Sequence, residues 1–278
     1  FPTRRSSDLG KPWLAIVSYM NPHDIYTVRK AMRDGVRMPV DRVRLPSSFA
    51  DTLADKPKAQ SAFRDEDQGR PLKEFTAEEW KYYIAYYYRL AESVDRQLGR
   101  LMDKLRAIGQ LENTLVVFTS DHGDMMAAHR MPFKGPMMYD ELVRVPLVYS
   151  WPGRLPAGAE SAELTVNVDH FPTICDVLGF PVPGGVDGIS MKRALLQPGL
   201  FAESSPEYRV LQYYSKQLWV NPIRTVIGRH YKYNLYLGGE EELYHLTAEP
   251  DELHNLASSG EHAAQKERMK QWLLQWME

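Results

Sequence analysis

Residues 115–146, LVVFTSDHGDMMAAHRMPFKGPMMYDELVRVP, decide how this 278-residue chain is read. Leu115 to Thr119 is a run of apolar and β-branched residues, the pattern of a buried strand. It stops at Ser120-Asp121-His122-Gly123, with an acid and an imidazole side by side where the strand ends. Open α/β sheets gather metal ligands and catalytic groups at such strand ends. Lys134-Gly135 follows, then Tyr139, Glu141 and Arg144-Val145-Pro146, leading into a second apolar strand from Leu147 to Trp151. Each piece alone has a plainer reading, since Asp-His after a strand is more often a hydrogen-bonded turn and a lone loop lysine is usually solvated. Their order and spacing together carry the argument.

Upstream, Lys11 to Tyr19 has the composition of another buried strand, and it runs into Met20-Asn21-Pro22-His23-Asp24, again placing a histidine at a strand end. Residues 27–75 are charged and proline-punctuated with no sustained period, which reads as a long excursion over the surface. Thr76-Ala77-Glu78-Glu79 is a capping box, and apolar residues then recur at helical spacing from Trp80 to Ile108, stopping at Gly109. The tyrosines Tyr82, Tyr83, Tyr86, Tyr87 and Tyr88 read as packing rather than as a ligand platform. Helix followed by strand predicts an α/β unit with a mostly parallel sheet.

Downstream, Asp169 is expected to cap a helix over 170–178, in which Cys175 packs as a small core residue. From about Ser204 the segments turn short, alternating and turn-bounded, predicting an antiparallel sheet closed by an amphipathic helix over 261–277. Residues 1–9 are polar and basic without an apolar stretch, unlike a signal peptide, and are expected to be a non-native leader. That leaves an α/β region at 10–203 and a small β-plus-helix subdomain at 204–278.

Apolar residues at 44% and charged residues at 25% are ordinary globular values. A net charge of −2 gives no electrostatic case for nucleic acid or an anionic membrane. No apolar run is long enough to span a bilayer, and a single cysteine cannot form an internal disulfide framework.

The 115–146 segment resembles the signature of sulfatases of the alkaline-phosphatase-like superfamily: S-D-H-G, then K-G, a Tyr-acid pair and R-V-P. The resemblance continues in V-D-x-x-P-T at Val168–Thr173, D-G-x-S at Asp187–Ser190, E-L-Y-x-L at Glu242–Leu246, and the ending at Glu249–Leu256. It implies an alkaline-phosphatase-like α/β fold that hydrolyses a small-molecule or glycan sulfate ester, using a formylglycine nucleophile beside a divalent cation. Residue by residue, it implies Asp121 as a carboxylate ligand of the cation and His122 as the next ligand. Ca²⁺ comes first by family, with Mg²⁺, Mn²⁺ and Zn²⁺ left open because imidazole is a less natural partner for a hard ion. Lys134 would contact the sulfate and the leaving-group oxygen. His23 would be the acid or hydrogen-bond donor to that oxygen. His129 would be a further substrate contact, although the family pattern G-E-H-G reads Ala127-Ala128-His129-Arg130 here. Arg144 would brace the loop against Tyr139, Asp140 or Glu141.

The formylglycine precursor, C/S-x-P/A-x-R, is expected outside these residues, because Cys175 is followed by Asp-Val-Leu-Gly and Ser204-Ser205-Pro206-Glu207-Tyr208 lacks the arginine. The paired aspartates that complete the family's metal site are expected there too, so the chain reads as the C-terminal portion of a sulfatase, inactive by itself. Two other readings stay open: a phosphonate monoester or phosphodiester hydrolase of the same superfamily, and a non-catalytic binding homologue.

Overall fold

A computed structural model describes residues 12–198, 206–216 and 219–278. The expected leader at 1–9, the expected boundary at 203–204 and Ser204 lie outside the described residues.

The scaffold is the long helix α3 (Ala77–Ala107). Its start is the expected capping box: the Thr76 hydroxyl accepts from the Glu79 N–H at 3.3 Å, and the Glu79 carboxylate accepts from the Thr76 N–H at 2.8 Å. Trp80, Tyr83 and Ile84 lie fully buried on one face, packed with Ile25, Val28, Leu72, Phe75 and Phe133. Burying side chains of this size contributes about 1.5–3 kcal/mol each.

Those partners correct the reading of residues 27–75. The segment holds helices α1 (Val28–Arg33) and α2 (Lys58–Asp65) with several 3₁₀ turns, and Leu53, Phe63 and Leu72 in it are buried. It is part of the core. Its ordering comes from distant partners: Lys56 Nζ donates to the Glu252 and Leu253 carbonyls, and the Gln60 side chain lies buried against Glu242. No local period announces such contacts.

Strand β1 (Val116–Thr119) follows α3 and pairs with β2 (Leu147–Ser150), which comes after the short helix α4 (Asp140–Val143). The pairing is antiparallel, with Thr119 opposite Leu147 and Val116 opposite Ser150. No parallel pair occurs among the described residues. The strand expected at 11–19 is not formed either: residues 12–19 are irregular, with Leu14 and Ile16 more than four-fifths exposed. A strand is made by its partner's ladder, and among the described residues no strand pairs with this segment.

Helix α5 (His170–Leu178) has the expected bounds, but Asp169 is not its side-chain cap. Its buried carboxylate instead accepts from the Val166 and Ile189 N–H groups and pairs with Arg209 at 3.0 Å, tying α5 to the C-terminal sheet. Cys175 is half-buried and free. The short helix α6 (Lys192–Leu196) follows the D-G-x-S segment, in which Ser190 donates to Asp176 at 2.7 Å.

The C-terminal region is the expected antiparallel sheet. Strands β3 (Tyr208–Lys216), β4 (Trp219–Gly228), β5 (Tyr231–Tyr236) and β6 (Glu241–His245) form a meander in chain order. Helix α7 (Ala263–Met277) buries Met269 and Leu273 against Val226, Tyr233 and Leu243. Among the described residues no helix is long and apolar enough to cross a membrane.

Candidate active site

The loop leaving β1 is held by its own polar groups. The Asp121 carboxylate accepts from the His122 N–H at 3.0 Å, and the Ser120 hydroxyl donates to the His122 carbonyl at 2.8 Å. His122 Nδ1 lies 2.8 Å from the Gly123 carbonyl, which can only accept, so Nδ1 carries the proton. His122 Nε2 then presents a lone pair, 3.6 Å from an Asp121 oxygen. A carboxylate oxygen and an unprotonated imidazole nitrogen side by side suit two positions around a divalent cation, and a second-atom hydrogen bond that fixes the tautomer is what a ligating histidine needs. Both are open to solvent, Asp121 with 85% of its side chain exposed. Among the described residues no group of three or more His, Cys, Asp or Glu forms a metal cluster.

Both glycines of the segment have a packing reason. A Cβ on Gly123 would stand 1.9 Å from the Glu141 carbonyl oxygen, and one on Gly135 would stand 2.6 Å from the Phe63 ring. Gly123 thereby lets β1's exit loop lie against α4, where its N–H reaches the Leu142 carbonyl at 2.8 Å.

Between them the chain doubles back through a strained turn. Met126, Ala127, His129, Arg130 and Phe133 all have left-handed φ, from 49° to 72°. Left-handed backbone costs roughly 1–2 kcal/mol at a non-glycine residue, so other contacts must hold it. One is the hydroxyl of Tyr83 on α3, which donates to Asp124 at 2.8 Å and accepts from the Phe133 N–H at 3.0 Å. Asp124 also accepts from the Met126 N–H at 3.0 Å. It is buried, and burial pushes its carboxyl up to about 6, against the pull of those hydrogen bonds and of Lys134.

Lys134 follows the turn and is half-buried, which lowers its ammonium's pKa, while Asp121 and Asp124 act in the opposite sense. Its Nζ sits 5.5 Å from the centre of the Tyr26 ring. Tyr26 stacks on Phe133 at 4.1 Å, and the His23 ring lies against it at 5.1 Å. His23 is exposed and begins a 3₁₀ turn, His23–Thr27, rather than following a strand. So Lys134 is within electrostatic reach of Asp121 beside His122, and contacts through Tyr26 bring His23 to the same lysine.

His129 is elsewhere. It is wholly buried, its Nδ1 2.7 Å from Asp51 and its ring stacked on Tyr139 at 3.9 Å, so the expected substrate contact is instead a packed core histidine. The Asp140 carboxylate, one of three expected partners of Arg144, pairs with Lys232 at 2.6 Å, while the Arg144 N–H donates to the Asp140 carbonyl at 2.9 Å. The expectation about the nucleophile also passed over one stretch, for Ser150-Trp151-Pro152-Gly153-Arg154 satisfies the C/S-x-P/A-x-R spacing. The register sets Ser150 opposite Val116, at the end of the β1–β2 pair away from Asp121. At about 3.3 Å per residue that is roughly 10 Å along the strand from the level of Thr119. Arg154 lies over the Trp151 ring instead, and this serine is the last residue of β2.

Three contributors escaped the sequence reading: Asp124, Tyr83 and Tyr26. Tyr83 falls on the apolar stripe of α3 and reads as packing, which it is, but its hydroxyl also organises the loop. Nothing in the letters distinguishes a buried aspartate at 124 from the exposed one at 121.

A family model described as Sulfatase matches residues 5–180, and one described as N-sulphoglucosamine sulphohydrolase, C-terminal, matches residues 129–278. The N-acetylglucosamine-6-O-sulfatase of Bacteroides thetaiotaomicron is 32% identical over 205 residues, covering 70% of this chain and 36% of that protein. Among solved structures, a 2-O GAG sulfatase superposes with TM-score 0.83 at 27% identity, covering 92% of this chain and 57% of the other. The phosphonate monoester hydrolase of Agrobacterium radiobacter superposes with TM-score 0.74 at 27% identity, covering 97% and 58%. The α/β fold is therefore that of the sulfatases, and this chain spans about a third to a half of the length of the curated relatives it matches.

Proposed function

Because this chain belongs to the sulfatase family, we propose that it carries the cation-holding and leaving-group side of a site that hydrolyses sulfate esters, with the nucleophile supplied by residues outside these 278. The observation that carries this reading is the contact chain His23–Tyr26–Lys134 beside Asp121 and His122.

A sulfate monoester is anionic and repels a nucleophile, so its non-bridging oxygens need positive charge and its leaving oxygen a proton. Asp121 and His122 would hold a divalent cation, Ca²⁺ by family with Mg²⁺, Mn²⁺ or Zn²⁺ open, and a bound cation there supplies charge to the ester oxygens. Lys134, partly withdrawn from water, presents an ammonium to the sulfate and to the leaving oxygen. His23, exposed and packed against the Tyr26 ring, donates the proton to that oxygen. Asp124 and Tyr83 touch neither and position the loop that carries Lys134. The substrate is a sulfated saccharide, as the names of the relatives suggest.

Phosphonate monoester hydrolysis is the second reading, favoured by the superposition over 97% of this chain. The test uses the full-length protein that contains these residues, assayed on an aryl sulfate and an aryl phosphonate. Sulfate turnover should dominate, Asp121→Ala should lower the bound metal content, and Lys134→Ala should reduce kcat by roughly 10²–10³. Near-wild-type turnover in the lysine variant would make Lys134 a bystander; faster phosphonate hydrolysis would select the second reading.

A further inference from the structure

A cavity of about 630 Å³ opens beside the strained loop, lined by Phe49, Asp51, Arg64, Asp65, Lys73 and Arg130, with Glu74 also on its wall. That volume is in the range of small-ligand sites. Asp51 is taken by His129 at 2.7 Å, and Asp65 receives Arg64 through both oxygens, at 3.1 and 3.0 Å. Lys73 and Arg130 are exposed and make no ion pair among the described residues, although both bear electrostatically on Asp65. The cavity therefore presents Lys73 and Arg130, which bear on Asp65 without a direct ion pair, together with a carboxylate at Glu74 and the ring of Phe49, with the Arg130 guanidinium 5.8 Å from the ring centre.

Arg130 is the informative residue. Its φ is 54°, in the left-handed region that glycine adopts freely and other residues rarely do. A side chain there costs backbone strain that glycine would avoid. The strain places a guanidinium on the cavity wall. Arg130 is also four residues from Lys134, and four residues span at most about 14 Å. The same loop thus offers one cation to the reacting group and another within the reach of an oligosaccharide.

We infer that this cavity is a subsite for a sulfate-bearing saccharide unit adjacent to the one whose ester is cleaved, gripped by Arg130 and Lys73, with Glu74 accepting from its hydroxyls. The inference rests on the sulfatase reading and adds a determinant of chain length and sulfation. Planar guanidinium and ammonium groups suit a sulfate's oxygens, and a carboxylate suits sugar hydroxyls.

Calorimetric titration of the chain tests it with three probes: a heparin-derived tetrasaccharide, its fully desulfated counterpart, and glucosamine 6-O-sulfate. Arg130→Gln and Lys73→Gln lie on separate segments, and each should weaken the sulfated tetrasaccharide about tenfold, the loss expected for one charge-assisted hydrogen bond. Neither should change the monosaccharide. Unchanged tetrasaccharide affinity in both variants would overturn the subsite, as would an equal loss on the monosaccharide, or a wild type that does not discriminate sulfated from desulfated tetrasaccharide. The sulfatase reading falls on a different result, unaffected turnover in Lys134→Ala, so the two failures are separable.

Discussion

Two stretches that carry the family resemblance are built in opposite ways. In the loop after β1, Asp121 and His122 are open to solvent, and the backbone turns left-handed further on, at Met126, Ala127, His129, Arg130 and Phe133. In the ending at residues 242–256 two acids, Glu242 and Glu252, face inward and are saturated. Glu242 accepts from Gln60 at 2.7 Å and Tyr244 at 2.5 Å on one oxygen, and from Asn234 at 2.9 Å and Tyr236 at 3.0 Å on the other. Glu252 accepts from Lys232 at 2.9 Å and from the Asp140 N–H at 2.8 Å. Asn255 reaches the Leu243 N–H and the Asp55 and Glu241 carbonyls. An acid is thus kept either for reacting or for bracing, and the partners its oxygens already have tell which.

The sharpest way to break this contrast is Glu242→Ala. Four buried donors would lose their acceptor, and stability measured by urea unfolding should fall by about 3–5 kcal/mol. A loss under about 1 kcal/mol would mean that the network is not a brace.

A smaller effect follows from Glu252. One ammonium, Lys232, faces two carboxylates, and burial pushes Glu252 up to about 7 from 4.5, with the neighbouring Asp140 charge adding to the rise and Lys232 opposing it. The folded state therefore takes up a proton between those values that the unfolded state does not. Its contribution is full below pH 4.5 and is lost as the pH rises through 7. Glu252→Gln should flatten stability across that window; parallel pH curves for variant and wild type would remove this account. The smallest effect belongs to the exposed loop. Asp121→Ala should change stability by less than about 0.5 kcal/mol while abolishing metal retention. A loss above about 1 kcal/mol would make Asp121 a brace as well.

Local rules explain what was legible. Strand β1 with its S-D-H-G exit, the capping box and stripe of α3, the bounds of α5 and the four-stranded sheet all follow from periodicity and terminal residues over short spans. The rest depends on partners. Residues 12–19 have strand composition but no ladder among the described residues, and residues 27–75 lack a period because Lys56 and Gln60 are ordered by groups roughly 180–200 positions away. At the candidate site, Asp121, His122, Lys134 and His23 were proposed from pattern and resemblance, whereas Asp124 entered only through its hydrogen bond from Tyr83. His129 failed for the converse reason, a matching letter whose side chain folds inward onto Asp51.

The left-handed run bears on how the loop could be stabilised. Ala127 and Arg130 hold a glycine-type backbone, at φ 72° and 54°. Glycine adopts it without the Cβ cost that alanine and arginine carry there.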